Sequence, residues 1–161
     1  MLKQLFSNII VAISGSDASI LAAKYAIVMA KLYHCKLSAV YVVDTATIRQ
    51  LTLSKIFIQE ESQEYERSLQ ANGERYLSFV EELAVAKGVK IDREIRHGAV
   101  FTEILAAADE KNADLIILGG WERDRSAREI FSHSHKEMMI CAKCSVLLVK
   151  EQNIEQLYKK A

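Results

Sequence analysis

The stretch that most constrains the fold is residues 8–19, NIIVAISGSDAS. It begins with an apolar run at residues 9–13, which is typical of a parallel strand covered by helices on both faces. Gly15 supplies a turn, and Ser16 or Asp17 can cap the helix that follows. The N-terminus of such a helix presents free N–H groups above the strand, where polar or anionic ligands bind. The crevice residues expected on this strand–turn–helix unit are Ile13, Ser14, Gly15 and Ser16.

Strand-like and helix-like segments alternate along the rest of the chain. Apolar or alternating patterns predict further strands at residues 36–43, 89–95, 114–118 and 145–149. Apolar residues at three- and four-residue steps predict helices at residues 16–33, 65–86, 99–112 and 126–142. Residues 45–61 have a weaker pattern and are interpreted as a partly helical excursion over the ligand edge of the sheet. This alternation predicts a doubly wound α/β domain with right-handed crossovers.

The size and composition of the chain fit one domain of this kind. Half of the 161 residues are apolar and proline is absent, so we expect a single domain over residues 1–150 with short connections. Residues 151–161 are polar and charged, and we expect them to form a frayed helical tail. The 21 basic and 21 acidic residues cancel, which argues against nucleic-acid or anionic-membrane partners. The N-terminal apolar run is too short for a signal peptide, and we expect a cytoplasmic protein without a membrane segment.

The cysteines and histidines near the C-terminus raise the question of a metal or redox site. Because the three cysteines are an odd number, we interpret them as reduced thiols. His133, His135, Cys141 and Cys144 are zinc-ligand types, but two histidines two positions apart on a helix point to different faces, so no metal is expected. Cys141 and Cys144 lie at a helix end that disfavours thiolate, so we expect buried structural cysteines. No Ser/His/acid series, carboxylate pair or P-loop is present, and no catalytic residue is assigned.

Four segments in order, IIVAISGSDAS, YVVD, RHGAVFTEILAAADEKNADLIILGG and CAKCSVLLV, resemble the universal stress protein family over nearly the whole chain. The resemblance implies a three-layer fold of the adenine nucleotide alpha hydrolase-like type, with a five-stranded parallel sheet in the order 3-2-1-4-5. In that order the connections reverse between strands 1 and 4, which places the ligand crevice between residues 14–16 and 119–123. Family members that bind ATP hold it in this crevice.

The ATP-binding pattern that the resemblance implies is only partly present. It requires a Gly ending strand 4, a second Gly three residues later, and, after nine more residues, a Gly followed by Ser or Thr. Gly119 matches the first position, but Glu122, Ser132 and His133 occupy the others. Ser14 stands where ATP binders have an acidic residue. Glu122 places a carboxylate where the triphosphate would lie, which costs on the order of 1 kcal/mol or more, so weak or no ATP binding is expected.

The resemblance nevertheless defines which residues would hold ATP or another adenine nucleotide. They are Ile13, Ser14, Gly15, Ser16, Val43, Gly119, Gly120, Arg123, Ser132, His133 and Ser134. Basic residues crowd residues 121–136 and favour either a solvated charged loop or a remodelled site for phosphate or another small anion. Trp121 could stack on a base, although an isolated loop aromatic more often packs against its neighbours.

Two classes of function follow from these observations. The first is a non-enzymatic stress-response or signalling module that forms a homodimer, contacts an unidentified protein partner and binds nucleotide weakly or not at all. The second is an adenine-nucleotide-binding protein with a modified phosphate loop and slow hydrolysis. The predicted dimer contact is the last strand, an apolar edge without proline or inward charges. Its residues are Ser145, Val146, Leu147, Leu148 and Val149.

Overall fold

The structure is a computed structural model that describes residues 2–120 and 133–161, with side chains described from residue 135 onward in the second segment. Within those residues the strands are β1 (Asn8–Ile13), β2 (Lys36–Val43), β3 (Ile91–His97), β4 (Leu115–Gly119) and β5 (Ser145–Val149). They form one parallel five-stranded sheet in the order β3-β2-β1-β4-β5. The predicted fold class and strand order are confirmed.

Helices cover both faces of this sheet. The described helices are α1 (Asp17–Tyr33), α2 (Thr45–Leu53), α3 (Gln59–Val85), α4 (Val100–Glu110), α5 (His133–Cys141) and α6 (Ile154–Lys160). One core cluster joins the sheet to α1, α3 and α6, and the other joins it to α4 and α5. None of the helices within the described ranges combines the length and the hydropathy that crossing a bilayer requires.

The central strand β1 shows why the apolar runs are continuous. Ile9 and Val11 face the α1 side of the sheet, whereas Ile10 faces α4, and all three are at most 1% exposed. Each such side chain contributes roughly 1.5–3 kcal/mol through burial. Ala22 and Ala26 on α1 are fully buried, and their small size lets the helix lie close to the strands.

Two element boundaries differ from the sequence prediction. α3 begins at Gln59 rather than at residue 65, because its first turn is polar and lacks apolar periodicity. Glutamates in that turn suit the positive end of the helix dipole, and the Phe57 and Tyr65 rings pack edge to face 5.7 Å apart. β3 begins at Ile91 rather than at Val89, whose N–H instead donates to the Ala84 carbonyl at the end of α3.

The C-terminal segment is better ordered than the expected frayed tail. α6 packs against α1, and Ile154 is only 1% exposed in the core that the sheet shares with α1. The Tyr158 hydroxyl donates to the Leu83 carbonyl at 2.7 Å, and the Lys24 ammonium lies 2.6 Å from the Glu155 carboxylate. Because the segment is mostly polar, its sequence gives no sign of these contacts, which are with α1 and with the end of α3.

The cysteines form no disulfide, but the expectation that both C-terminal cysteines are buried is wrong. Cys35, Cys141 and Cys144 are free thiols. Cys144 is half-buried against the α4–α5 core, whereas Cys141 is exposed. On α5 the inward position belongs to Met138, which is 2% exposed and whose carbonyl accepts from the N–H of Ala142.

Candidate functional site

A cavity of about 530 Å³ opens at the carboxyl ends of β1, β2 and β4, where the sheet connections reverse direction. This is the place that the sequence predicts for the ligand crevice. Most of its wall is apolar and comes from Ala12, Val42, Leu69, Val100, Ile104, Leu118 and Met138. Ile13, Ser14, Ser16, Gly119 and Gly120 also line it, as the sequence predicts. We call this space the switch-point cavity.

Ser14 and Ser16 place two hydroxyl groups at the mouth of this cavity. Their oxygens are 3.0 Å apart, and the Ser16 oxygen also accepts the Ser19 N–H at 3.1 Å as the N-cap of α1. The shared bond uses one of the two hydroxyl hydrogens, so the pair keeps one to donate to a ligand. The pair is therefore neutral and can both donate and accept, unlike a carboxylate, which only accepts.

Gly15 and Val43 belong to the predicted crevice but do not line the cavity. Gly15 has a φ of +80° and passes beneath Tyr76, whose ring would lie 2.5 Å from an added Cβ. Val43 is fully buried, and its carbonyl accepts the N–H of Gly98 at 3.1 Å. The Gly98 N–H thus occupies one of the two acceptor positions of the carbonyl oxygen at the end of β2.

Gly119 and Gly120 are required by packing, independently of any ligand. A Cβ on Gly119 would lie 2.8 Å from the backbone carbon and oxygen of Ala18 in the first turn of α1. A Cβ on Gly120 would overlap the carbonyl oxygen of Val149 on β5. These glycines therefore allow β4 to end closely against α1 and β5, and their presence alone does not indicate phosphate binding.

Three further residues that the sequence did not single out line the cavity: Tyr41, Asp44 and Tyr65. Tyr41 is 6% exposed, and burial raises the pKa of its hydroxyl. The Asp44 carboxylate caps α2 by accepting the N–H and hydroxyl of Thr47 at 3.0 and 2.7 Å. Asp44 could have been assigned to the crevice from the sequence, because it is an acidic residue directly after a strand. The two tyrosines could not, because their positions are equally typical of core residues.

His135 connects α5 to the cavity wall. Its ring forms a hydrogen bond with the backbone of Gly119, and the side chain is half-buried. Burial lowers the pKa of this imidazole from its ordinary value, which favours the neutral ring at physiological pH. His135 thus contributes a neutral polar group beside Gly119.

The predicted phosphate side of the site falls largely outside the described residues. Trp121, Glu122, Arg123 and Ser132 lie there, and residues 133 and 134 are described only as the backbone that begins α5. Among the residues with described side chains, no group of histidine, cysteine and carboxylate side chains converges on a possible metal position.

The two edges of the sheet differ in chemistry. On β3, the Arg96 guanidinium lies 2.7 Å from Glu94 and 2.9 Å from Glu110, and Lys111 lies 3.4 Å from Glu94. The two carboxylates, first of all Glu110 through its hydrogen bond, raise the pKa of Arg96. Such charges blunt an edge strand against pairing.

The other edge, β5, is apolar. Val146 and Leu148 pack against the α4–α5 core, and Leu147 and Val149 pack against the α1 side. The two pairs alternate between the faces of the sheet, as in any strand. Val146, Leu147 and Leu148 are only half-buried. Among the described residues, nothing pairs with the outer side of β5.

Comparisons with known proteins agree with this architecture. The model of the universal stress protein family matches residues 5–150. A universal stress protein of Methanocaldococcus jannaschii is 32% identical over 155 residues, covering 95% of this chain and 87% of that protein. The solved universal stress protein UspA from Lactobacillus plantarum has a TM-score of 0.75 at 22% identity, covering 90% of this chain and 98% of that one.

Nucleotide complexes occur among the proteins of similar fold. A universal stress protein from Archaeoglobus fulgidus, solved in complex with dAMP, has a TM-score of 0.61 at 16% identity and covers 91% of this chain and all of its own. Another universal stress protein, solved with cAMP, has a TM-score of 0.55 at 20% identity, covering 89% of this chain and 96% of its own. The sheet order, the switch-point cavity and the family match agree, and the chain belongs to the universal stress protein family.

Proposed function

We propose that this chain is a cytoplasmic stress-response module that acts by binding rather than by catalysis, works as a homodimer and binds ATP weakly or not at all. The observation that carries the proposal is the composition of the switch-point cavity. Its described wall is mostly apolar, and most of the polar groups on that wall are neutral hydroxyls. Such a cavity suits a nucleoside better than a triphosphate.

The switch-point cavity contains groups that can bind the base and sugar of an adenine nucleotide. A space of about 530 Å³ falls in the range typical of small-molecule sites. The Tyr41 and Tyr65 side chains can contact a planar base, and the Ser14–Ser16 pair can donate one hydrogen bond and accept others. The relatives solved with dAMP and cAMP support an adenine nucleotide as the ligand class.

The phosphate half of the site lacks two of the glycines and the hydroxyl group of the ATP-binding pattern. Glu122 and Ser132 stand where ATP-binding members have glycine, and His133 replaces a hydroxyl. A carboxylate near the phosphates costs on the order of 1 kcal/mol or more, which lowers affinity about tenfold for each 1.4 kcal/mol. Gly119 and Gly120 do not offset this loss, because packing against α1 and β5 already accounts for them.

Calorimetric titration of ATP tests the proposal. We expect weak binding by the unaltered protein and at least about tenfold tighter binding by Glu122→Gly/Ser132→Gly/His133→Ser. Glu129→Gly is the matched control, because it also exchanges a carboxylate for glycine within the same segment but outside the binding pattern. Submicromolar ATP binding by the unaltered protein would contradict the proposal.

The second candidate is an adenine-nucleotide-binding protein whose altered loop still accepts ATP and hydrolyses it slowly. The open switch-point cavity and the nucleotide complexes of similar fold favour it. Mass spectrometry of the acid supernatant of gently purified protein separates the two candidates. A stoichiometric adenine nucleotide supports the second candidate, whereas its absence supports the first.

The homodimer is proposed through β5. Among the described residues, nothing pairs with the outer edge of this apolar strand, whereas the opposite edge of the sheet carries the Arg96 charge network. A two-fold axis through β5 would pair it with its own copy in an antiparallel ladder. Val146 and Leu148 on one face and Leu147 and Val149 on the other would then continue both cores across the interface. An unidentified protein partner would bind this dimer.

A further inference from the structure

A second cavity, of about 510 Å³, lies at the amino end of the sheet, opposite the switch-point cavity. It is bounded by the end of α1, the start of β2 and the turn between α3 and β3. Leu37 and Val89 are buried and form part of its floor. We call it the basic cavity, because its charged lining consists of one acidic residue, Asp92, and the lysines Lys31, Lys36, Lys87 and Lys90.

The positive charge of this lining is local, since the whole chain has no net charge. The carboxyl ends of α1, α3 and α6 lie nearby, and each adds roughly half a negative charge. The Ala161 carboxylate offsets Lys31, and Lys36, Lys87 and Lys90 against Asp92 and these dipoles leave a small excess of positive charge. None of the four lysines forms an ion pair with an aspartate or glutamate side chain of the described residues.

One of the ammonium groups is held in place without being neutralised: the Lys87 Nζ donates to the main-chain carbonyl of Lys159 at 3.3 Å. The Lys31 Nζ donates to the main-chain oxygen of Ala161, the last residue of the sequence, where this oxygen is part of a carboxylate. The Lys87 Nζ also lies 4.7 Å from the centroid of the Tyr158 ring. Contacts with a carbonyl and a ring orient the ammonium group but leave its charge available. Anion binding therefore loses less side-chain conformational entropy than it would with a freely moving lysine.

We propose that the basic cavity binds a small multivalent anion of the phosphate class. Lysine ammonium groups act as compact point charges with several donors, which suits phosphate oxygens in varied geometries. A multivalent anion can interact with several of the lysines that line the cavity, whereas a monovalent ion gains little against solvent screening. This site is separate from the switch-point cavity and does not depend on nucleotide binding there.

Thermal unfolding with inorganic tripolyphosphate tests this proposal, with sodium chloride at the same ionic strength as the reference. At about a hundredfold excess over Kd we expect the Tm to rise by on the order of 5 °C beyond the chloride value. Lys87→Gln/Lys90→Gln should lose most of this rise. Lys3→Gln/Lys55→Gln removes the same charge from exposed positions outside the cavity and should keep it.

Two further arms make the test specific. The contacts of the cavity lysines with α6 described above come from Lys31 and Lys87, so Lys36→Gln/Lys90→Gln leaves them unchanged. Loss of the Tm rise in this variant therefore reflects lost anion binding and not loosening of that helix. Adding ATP in place of tripolyphosphate identifies the source of the phosphate. An ATP effect that disappears with these lysines indicates a nucleotide's phosphate chain, and an effect of tripolyphosphate alone indicates a free anion. A rise no larger than that with chloride, or one unchanged in both lysine variants, would overturn the proposal.

Discussion

At the residue scale, the two glycines at the end of β4 allow this strand to pack closely against α1 and β5. Gly119 lies against the backbone of Ala18, and Gly120 lies against the carbonyl of Val149. Backbone atoms cannot rotate away from an added methyl group as a flexible side chain can. Tight packing therefore explains both glycines, even though the ATP-binding pattern after Gly119 is incomplete.

We therefore predict that Gly119→Ala lowers the free energy of unfolding by about 2 kcal/mol or more, because the new Cβ would lie 2.8 Å from backbone atoms of Ala18. Gly88→Ala is the control, because its Cβ would meet nothing within 4 Å although φ is +72°. That left-handed conformation should cost only about 1 kcal/mol. Urea denaturation measures both, and equal losses would argue against the packing explanation.

The hydroxyl pair of Ser14 and Ser16 is the other residue-scale feature with functional meaning. In place of an acidic residue at the end of β1, the chain has two neutral groups that satisfy each other and cap α1. A neutral pair avoids repulsion of phosphate but offers no charge to attract a ligand. It therefore agrees with the weak nucleotide binding that we propose.

At the scale of elements, α6 is an integral part of the α1 layer. Its residues contact α1 and the end of α3, and two lysines of the basic cavity donate to the main-chain oxygens of Lys159 and Ala161. The helix has seven residues, too few to be stable in isolation. Its order therefore depends on tertiary contacts, above all on the burial of Ile154.

We predict that Ile154→Ala lowers the free energy of unfolding by about 2–4 kcal/mol, because this side chain is 1% exposed in the α1-side core. Tyr158→Phe should cost about 1 kcal/mol through loss of the hydrogen bond to Leu83. Leu157→Ala, at a 43% exposed position, is the control and should cost much less. Chemical denaturation would show three small, similar losses if α6 were merely frayed.

At the scale of the whole molecule, the contrast between the two sheet edges directs association to one side. Arg96 bridges Glu94 and Glu110 on the β3 edge. Pairing of another strand with β3 would bury these charges or break these ion pairs. The β5 edge carries only Ser145 as a polar residue and has half-buried aliphatic side chains on both faces. The β3 edge is therefore suited to solvent, and the β5 edge is suited to contact with another protein chain.

We predict a homodimer at micromolar concentration that Leu147→Pro disrupts, because proline removes a ladder donor in the middle of β5. Leu147→Ala is the control, since it shortens the side chain but keeps the N–H and should remain dimeric. Light scattering coupled to size exclusion measures the mass, and circular dichroism verifies folding. An unaltered protein with a mass near 18.1 kDa would refute the dimer. A folded, dimeric proline variant would place the interface elsewhere.

Local patterns determined most of the fold. The apolar runs of β1, β2 and β4 and the helical periodicity between them predict the alternation of strands and helices, and the resemblance to the family adds the strand order. The location of the switch-point cavity follows from that order, and so do Ile13, Ser14 and Ser16 as its lining. Such features are predictable because the chain segment that forms each element carries the whole signal.

Contacts between distant segments were decided only by the tertiary structure. The packing role of Gly120 depends on Val149, the docking of α6 depends on Leu83, and Tyr65 lines the switch-point cavity only because α3 crosses above it. The basic cavity likewise joins lysines from residues 31–36 and 87–90, which are unremarkable in either segment. These arrangements arise where helices and strands cross, so no local run of residues contains the information that specifies them.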